Sequence, residues 1–512
     1  MSLTGFFPEL VRNGRIQMRP KRMLAAASIC AVVSFTTYLN YRHPFMPEAL
    51  LELFVNAGVT VLILGGGILC LQSIHREKEL NTFDYQRITR LTPLELTLGK
   101  LFGAPSLAYF IVLCLAPITL AAAFLSGVSL VTILWIYAIV LLGTITYHAF
   151  ALLVSLMAGR GSSAGIIIFF LIAVYVSAFV EGDRSSMLAL RMISPYFAAQ
   201  LPRASDAPNP WVVGPRLPGG KDLLFGVTVP HVLVLVALYV TLTGWFLLAL
   251  TRNIKRDPSM YEIYSPLQAF GFVLYLHLIV LAFYQWTRLF SHWTSGASPY
   301  FSADENQVAP AQAEHEILAF SLAIFIIFGL MLLRNRERVR HRILRLGEGA
   351  VSWWAALWPG PYLLGGVLTV GLAMIAMIWH KLHPETEWSF GMAFFQVCFL
   401  AAWVTRDAIY LQWMNLRRGR RSLTAGLIYL IVFYVCSSAL WAGLSFYRAE
   451  GRTFGAFNAY LVPWTIFGMD FDSWMGASRI WLGALAILAG EALVFAALQR
   501  SQLMKLRESA SV

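Results

Sequence analysis

What most constrains this chain is a recurrence of long apolar blocks separated by short polar stretches. A helix needs about 20 residues to cross a hydrocarbon core about 30 Å thick, and the blocks have that length. Closed β-barrels would instead show alternating segments of about ten residues, and the chain has none. Composition agrees: 58% of the residues are apolar, 13% are charged, and the mean hydropathy is +0.65. A soluble domain carries about 25% charged residues, so half the charge that would cover a water-facing surface is missing. The expected fold is all-α, a polytopic transmembrane helical bundle.

The blocks place about 12 spans, at 23–41, 50–73, 101–125, 129–157, 163–180, 229–250, 266–286, 317–333, 363–379, 390–405, 423–446 and 480–498. Basic residues accumulate on the cytoplasmic side of a membrane. With a cytoplasmic N-terminus, segments 1–22, 75–100, 158–162, 251–265, 334–362, 406–422 and 499–512 hold 28 of the 39 Lys and Arg residues. The outer loops carry carboxylates, among them Asp304, Glu305, Glu314, Glu316, Glu385 and Glu387. The expectation is a multi-pass protein of a cell (inner or plasma) membrane, with both termini cytoplasmic.

Divided near residue 256, each half holds six spans and enters and leaves on the same side, as a parallel duplication requires. In each half the loop between the second and third spans is long and cytoplasmic, at 74–100 and 334–362. The loop before the sixth span is long and external in each, at 181–228 and 447–479. Identity between the halves is slight. Residues 257–512 read equally well as a diverged duplicate of residues 1–256 and as an unrelated bundle.

The net charge of +12 lies in short loops beside apolar blocks. That is membrane topology and not a face for nucleic acid. Cys30, Cys70, Cys114, Cys398 and Cys436 fall in or beside apolar blocks without metal-ligand or disulfide patterning, and read as small apolar fillers. Arg12, Arg15, Arg19, Lys21 and Arg22 precede the first block and no small-residue cleavage pattern follows it, so no removable leader is expected. Interleaved with Phe6, Phe7, Leu10, Val11 and Ile16, these cations suit a short helix lying in the membrane interface.

The most informative segment is 75–101, HREKELNTFDYQRITRLTPLELTLGKL. Arg76, Glu77, Lys78 and Glu79 leave the second span. Thr92-Pro93-Leu94-Glu95 then forms a capping box, in which Thr92 accepts from the N3 amide and Glu95 reaches back to the N-cap amide. Proline fits the first helical position because its missing N–H had no helical partner to lose. The new helix approaches the third span through Gly99 and Lys100, the lysine marking the membrane surface. A helix, a sharp turn and a second helix therefore project into the cytoplasm, a shape that can transmit force.

The order Glu77-Lys78-Glu79, Asn81-Thr82, Leu91-Thr92-Pro93-Leu94-Glu95 and Gly99-Lys100 resembles the cytoplasmic loop of ABC type-2 permeases, which reads E-x-E-x-G-T and then L-[ST]-P-x-E-x-x-x-G-K. Pro8-Glu9-Leu10-Val11-Arg12 and Arg19-Pro20-Lys21-Arg22 resemble that family's interfacial elbow helix. The resemblance covers residues 1 to about 255. Asn81 stands where the family has glycine, and asparagine tolerates left-handed backbone better than most residues. The resemblance implies the membrane subunit of an ABC exporter whose loop docks into a separate cytoplasmic ATPase. By carry-over, Glu77 and Glu79 contact that ATPase, while Thr92, Pro93 and Glu95 shape the docking turn. It also implies two six-span modules, supplied by a homodimer or by the two halves of this chain.

Nothing in the chain matches G-x-x-x-x-G-K-[ST], the loop that wraps phosphates in backbone amides. Gly219-Gly220-Lys221 is followed by Asp222, and Gly99-Lys100 by Leu101. No cofactor is expected on this chain, no metal site and no catalytic residue; ATP and magnesium would act through the partner ATPase. In the second half, six arginines followed by Trp353, Trp354 and Trp358 read as an interfacial helix near anionic membrane lipids, or as a degenerate coupling loop. Arg417, Arg418, Arg420 and Arg421 read as a topology signal.

Among the ionisable residues within spans, Glu491, His148 and His277 are the candidates, because burying such groups is costly. Such sparse charge speaks against a proton-driven carrier. A membrane-embedded transferase is the second class considered. His292, His315, His380 and His383 lie in or beside outer loops but lack metal or acid–base spacing. A non-transporting assembly or sensor protein is the third. The prolines of the external segment (Pro195, Pro202, Pro208, Pro210, Pro215 and Pro218) name no cargo.

Overall fold

The computed structural model describes residues 8–40, 47–158, 222–224, 227–229, 231–284, 310–382, 390–417, 422–445 and 471–509. The span expected at 163–180, most of the external segments, and Arg418, Arg420 and Arg421 lie outside them. The described residues are helical apart from one antiparallel hairpin, Asp222–Leu224 with Val227–Val229. Among the described residues, seven helical segments are long and apolar enough to cross a membrane: Pro20–Leu39, Ala49–Glu79, Ser106–Leu125, Leu130–Met157, Leu235–Asn253, Ala393–Leu416 and Leu482–Glu508. Shorter apolar helical stretches cover Pro266–Val280, Ser321–Leu332, Gly360–Met374 and Leu423–Ser437. A multi-pass helical membrane protein accounts for these segments.

Packing divides the chain into one unit of residues 1–263 with 282–300 and another of residues 264–281 with 301–512. The first contains α1 (Pro8–Gln17), α2 (Pro20–Asn40), α3 (Pro47–Thr60), a π-helical turn (Val61–Gly66), α4 (Gly67–Glu79), α5 (Phe83–Ile88), α6 (Pro93–Gly103), α7 (Ser106–Leu125), α8 (Leu130–Met157) and α9 (His231–Asn253). Its hub is α8, which packs on α4, α6, α7 and α9. Polar side chains join these helices: Ser155 Oγ donates to the Leu71 carbonyl at 2.6 Å, and the Thr146 and Thr243 hydroxyls meet at 2.9 Å. Such bonds contribute about 0.6 kcal/mol each inside a membrane. Helix α2 is peripheral and leaves Leu24, Ile29, Val32 and Phe35 exposed, as a lipid-facing helix would.

The second unit contains α10 (Pro266–Tyr284), α11 (Pro310–Leu332), α12 (Arg336–Leu346), α13 (Trp353–Ala356), α14 (Gly360–Leu382), α15 (Phe390–Leu416), α16 (Ser422–Ser445) and α17 (Phe471–Glu508). Here α15 is the hub, against α11, α14, α16 and α17. Amphipathic α12 buries Val339 and Ile343 in a cluster with Leu416, Leu503 and Leu506. The tryptophans after it are tied down: the Trp358 indole donates to the Leu332 carbonyl at 2.9 Å, and the Arg334 guanidinium stacks 3.3 Å over its ring.

Two sequence boundaries are corrected. The expected span 101–125 begins only at Ser106, because α6 ends at Gly103 and Pro105 has no N–H with which to continue the ladder. The expected span 390–405 continues to Leu416, so Arg406 and Asp407 lie within a helix and not in a cytoplasmic loop. Neighbouring helices supply the polar partners that make this burial tolerable.

Candidate functional site

Residues 75–103 form the projecting assembly. Helix α4 ends in a Schellman turn: the Thr82 amide donates to the Glu77 carbonyl at 2.9 Å and the Asn81 amide to the Lys78 carbonyl at 3.3 Å. This closure requires left-handed backbone, and Asn81 supplies it with φ of +56°. The chain then runs through short α5 to the capping box at the start of α6. Glu95 N–H donates to Thr92 Oγ1 at 3.2 Å, while Thr92 N–H and hydroxyl donate to Glu95 Oε2 at 2.7 and 2.9 Å. Those bonds from Thr92, aided by the Lys255 ammonium, hold the Glu95 carboxyl below its ordinary pKa. Pro93 occupies the first helical position, as its fixed φ favours. Thr82 precedes α5 without capping it; its hydroxyl donates to the Glu77 carbonyl at 3.3 Å.

Lys100 does not mark an exposed membrane surface. Its side chain is fully buried, with Nζ 3.1 Å from Glu9 Oε1 and 2.5 Å from Glu77 Oε2. Glu9 comes from α1, Glu77 from α4 and Lys100 from α6, so one ammonium joins three helices. Arg12 donates to both carboxylates, at 2.8 Å to Glu9, and Gln86 donates to Glu77 Oε1 at 2.7 Å. Two cations face two anions, which satisfies the charge balance a buried network needs. Asn13 completes it by donating to Glu9 Oε1 at 2.9 Å.

Glycine permits this approach. A Cβ on Gly99 would lie 2.7 Å from Glu9 Cβ, and one on Gly103 would lie 2.9 Å from Asn13 Cβ. The pair forms a G-x-x-x-G face on α6, the spacing that lets two helix backbones pack closely. Sequence reasoning reached Gly99 but missed Gly103, Glu9, Arg12 and Gln86 as members of this site; the four-residue glycine spacing was the available signal.

Lys78 is also buried, and it caps a span. Its Nζ donates to the carbonyls of Ser155, Leu156 and Ala158 at 2.9, 2.6 and 2.9 Å, at the C-terminus of α8. A cation there meets both the unpaired carbonyls and the negative end of the helix dipole. On the other side of the projection, Lys255 Nζ donates to the Thr89 carbonyl at 2.8 Å. The base of the projection is thus fastened to α1 and to α8, while Lys255 ties the stretch beside Ile88 to the segment after α9.

The tip is different. Leu80, Tyr85, Ile88 and Leu94 are 62%, 71%, 81% and 51% exposed, although all are large and apolar. Glu79 is exposed beside them, with His75 Nε2 3.0 Å from its carboxylate. Glu77 instead turns inward to Lys100, Arg12 and Gln86.

The intramembrane candidates are placed as follows. His148 Nε2 lies 2.9 Å from the Leu62 carbonyl in the π-helical turn, and Nδ1 lies 3.1 Å from the Tyr109 hydroxyl. A carbonyl only accepts, so Nε2 carries the proton and Nδ1 accepts from Tyr109. A Cβ on Gly66 would collide with that imidazole. His277 Nδ1 lies 2.8 Å from the carbonyl of Val273 on its own helix, and the ring packs on Phe325. Glu491 meets Arg406, whose Nη1 donates to it at 3.0 Å.

No protein-family model, curated protein or solved structure matches this chain.

Proposed function

We propose that this chain is the membrane-spanning permease subunit of an ATP-driven ABC type-2 export system, coupling a separate cytoplasmic ATPase to substrate translocation. The observation that carries the reading is the contrast within residues 75–103: an apolar tip exposed at Leu80, Tyr85, Ile88 and Leu94, on a base fastened by buried Lys78 and Lys100. Exposed apolar residues on a rigid projection are what a docking partner would cover. A base bonded to α1, α4 and α8 would pass a push on the tip into the spans. The resemblance of the loop motif to ABC type-2 permeases supplies the partner's class.

On this reading the twelve spans form two six-span modules, residues 1–256 and 257–512, in a cell membrane with both termini cytoplasmic. The second module is a diverged duplicate whose loop 334–362 has become an interfacial anchor. ATP and magnesium act on the partner alone.

The test is co-expression with a candidate ABC-type ATPase, comparing wild type with Tyr85→Ala/Ile88→Asp. The double variant should lose copurification and stimulated ATP hydrolysis while keeping its thermal unfolding midpoint. Unchanged binding and stimulation would refute coupling through this tip.

A further inference from the structure

In the second unit, residues 333–359 form a platform across the ends of two long helices. Val339 and Ile343 of α12 pack with Val351, with Leu416 at the end of α15, and with Leu503 and Leu506 near the end of α17. Polar bonds hold its two edges. The Arg334 amide donates to Gln412 Oε1 at 2.7 Å, and Gln412 Nε2 and Asn415 Nδ2 each donate to the Arg334 carbonyl at 3.0 Å. Gln499 Nε2 donates to the Trp358 carbonyl at 3.0 Å, and the Arg500 guanidinium lies 4.7 Å from the centre of the Trp353 ring. Both α15 and α17 contain segments long and apolar enough to cross a membrane, so the platform sits where such segments leave the hydrocarbon.

With Val339 and Ile343 turned inward, the helical period leaves Arg340, Arg342 and Arg345 exposed on α12. Residues 334–351 carry six arginines against Glu337 and Glu348, and the last turns of α17 add Arg500, Lys505 and Arg507 against Glu508. Several of these groups have partners: Arg340 Nη1 lies 4.0 Å from Glu337, and Arg338, Arg507 and Glu508 also make contacts. Pairing leaves the excess of cations unchanged. Beside them Leu344, Leu346, Trp353 and Trp354 are exposed, Trp354 at 75%. A soluble acidic partner would match the arginines but gives no reason for bare indoles and leucines at a membrane boundary. Tryptophan settles at the headgroup level, with its ring toward the chains and its N–H toward water. Arginines beside it there meet phosphates.

We propose that this platform is a binding surface for anionic phospholipid headgroups, engaged by Arg340, Arg342 and Arg345 and seated by Trp354. It rests on the interfacial placement of loop 334–362 and is independent of export. It also goes beyond an anchor, which needs only embedded indoles and holds charged and zwitterionic lipids alike. A guanidinium offers two parallel N–H donors to a pair of phosphate oxygens. A zwitterionic headgroup carries its own cation beside the phosphate, so the surplus charge of the platform selects lipids that lack one. Each cation near an anionic bilayer surface strengthens binding about fivefold.

The test is native mass spectrometry of the full chain released from mixed micelles with equal amounts of phosphatidylglycerol and phosphatidylcholine. Wild type should retain phosphatidylglycerol about tenfold or more over phosphatidylcholine. Arg340→Gln/Arg342→Gln/Arg345→Gln should lose most of that preference, and lysine at the same positions should keep most of it. Trp354→Ser, which a purely charged partner would not feel, should also lose phosphatidylglycerol. Arg19→Gln/Lys21→Gln/Arg22→Gln removes equal charge before α2 and should match wild type, as should wild type in excess inorganic phosphate. An unchanged unfolding midpoint in phosphatidylcholine shows that each variant is folded. Equal retention of the two lipids by wild type would leave an anchor and overturn the headgroup site. So would a preference that survives the glutamine variant, is untouched by Trp354→Ser, falls equally in the control at 19–22, or disappears in inorganic phosphate.

Discussion

The Lys78 ammonium lies 2.6 Å from the Leu156 carbonyl oxygen, 78 positions away in sequence, and it reaches the Ser155 and Ala158 carbonyls as well. A residue of the projecting loop therefore finishes a transmembrane helix. Replacing it with methionine keeps the aliphatic stem but strips three carbonyls of their donor. Lys78→Met should cost about 2 kcal/mol, from the lost cation at the helix C-terminus, and Lys78→Arg should recover part of it. Thermal unfolding in detergent, with hydrogen exchange over residues 152–158, measures both.

Lys100 is the more severe case. It is wholly buried between Glu9 and Glu77, so Lys100→Met leaves two carboxylates with Arg12 as their cation. Breaking a buried ion network by removing one partner costs about 3–5 kcal/mol. Lys100→Met should be destabilised by that amount, and the triple change Lys100→Met/Glu9→Gln/Glu77→Gln by much less. Equal losses in the two proteins would show that charge pairing does not hold α1 to α6.

The close approach of α1 gives a steric expectation. A methyl group at position 99 would press on Glu9 Cβ at 2.7 Å and on the Leu10 backbone nitrogen at 3.0 Å. Gly99→Ala should cost about 1–3 kcal/mol, as overpacking does. Gly65 has open space around an added Cβ, so Gly65→Ala is the control and should be tolerated. Protease sensitivity of the first 20 residues reports whether α1 has come away.

The capping box has a pH signature. Thr92 holds the Glu95 carboxyl below its ordinary pKa, so the folded chain binds that proton less readily than the unfolded chain does. The carboxylate's contribution is fully present above the unfolded pKa and is lost as pH falls through the depressed folded value. The stability difference between wild type and Glu95→Gln should therefore be largest near neutral pH and shrink in acid. Thr92→Ala should cost about 1 kcal/mol at neutral pH.

Local chemistry was legible in the sequence. Thr92, Pro93 and Glu95 form the box that their spacing implies, and Asn81 takes the left-handed turn that its side chain tolerates. Apolar block length marked the seven helices that, among the described residues, are long and apolar enough to cross a membrane. What escaped was long-range. Nothing local links Glu9 to Lys100 across 91 positions, and a lysine next to a span reads as a surface marker until a partner is placed beside it. Arg406 and Asp407 were read as the end of a span for the same reason: charge signals a boundary unless Tyr434 and Glu491 arrive from other helices. The π-helical turn at Val61–Gly66 was equally hidden: the His148 ring that bonds its Leu62 carbonyl comes from 86 positions away.

Docking at the tip of residues 75–103 is the central claim, and site-specific cross-linking tests it most directly. A photo-activated cross-linker placed at Ile88, 81% exposed, should trap the partner ATPase when the two are co-expressed. The same group at Ile29, on the outward face of peripheral α2, should not. An adduct at Ile88 alone is the expected result. A copurifying ATPase that gives no adduct at Ile88, or gives one equally at Ile29, would contradict the account.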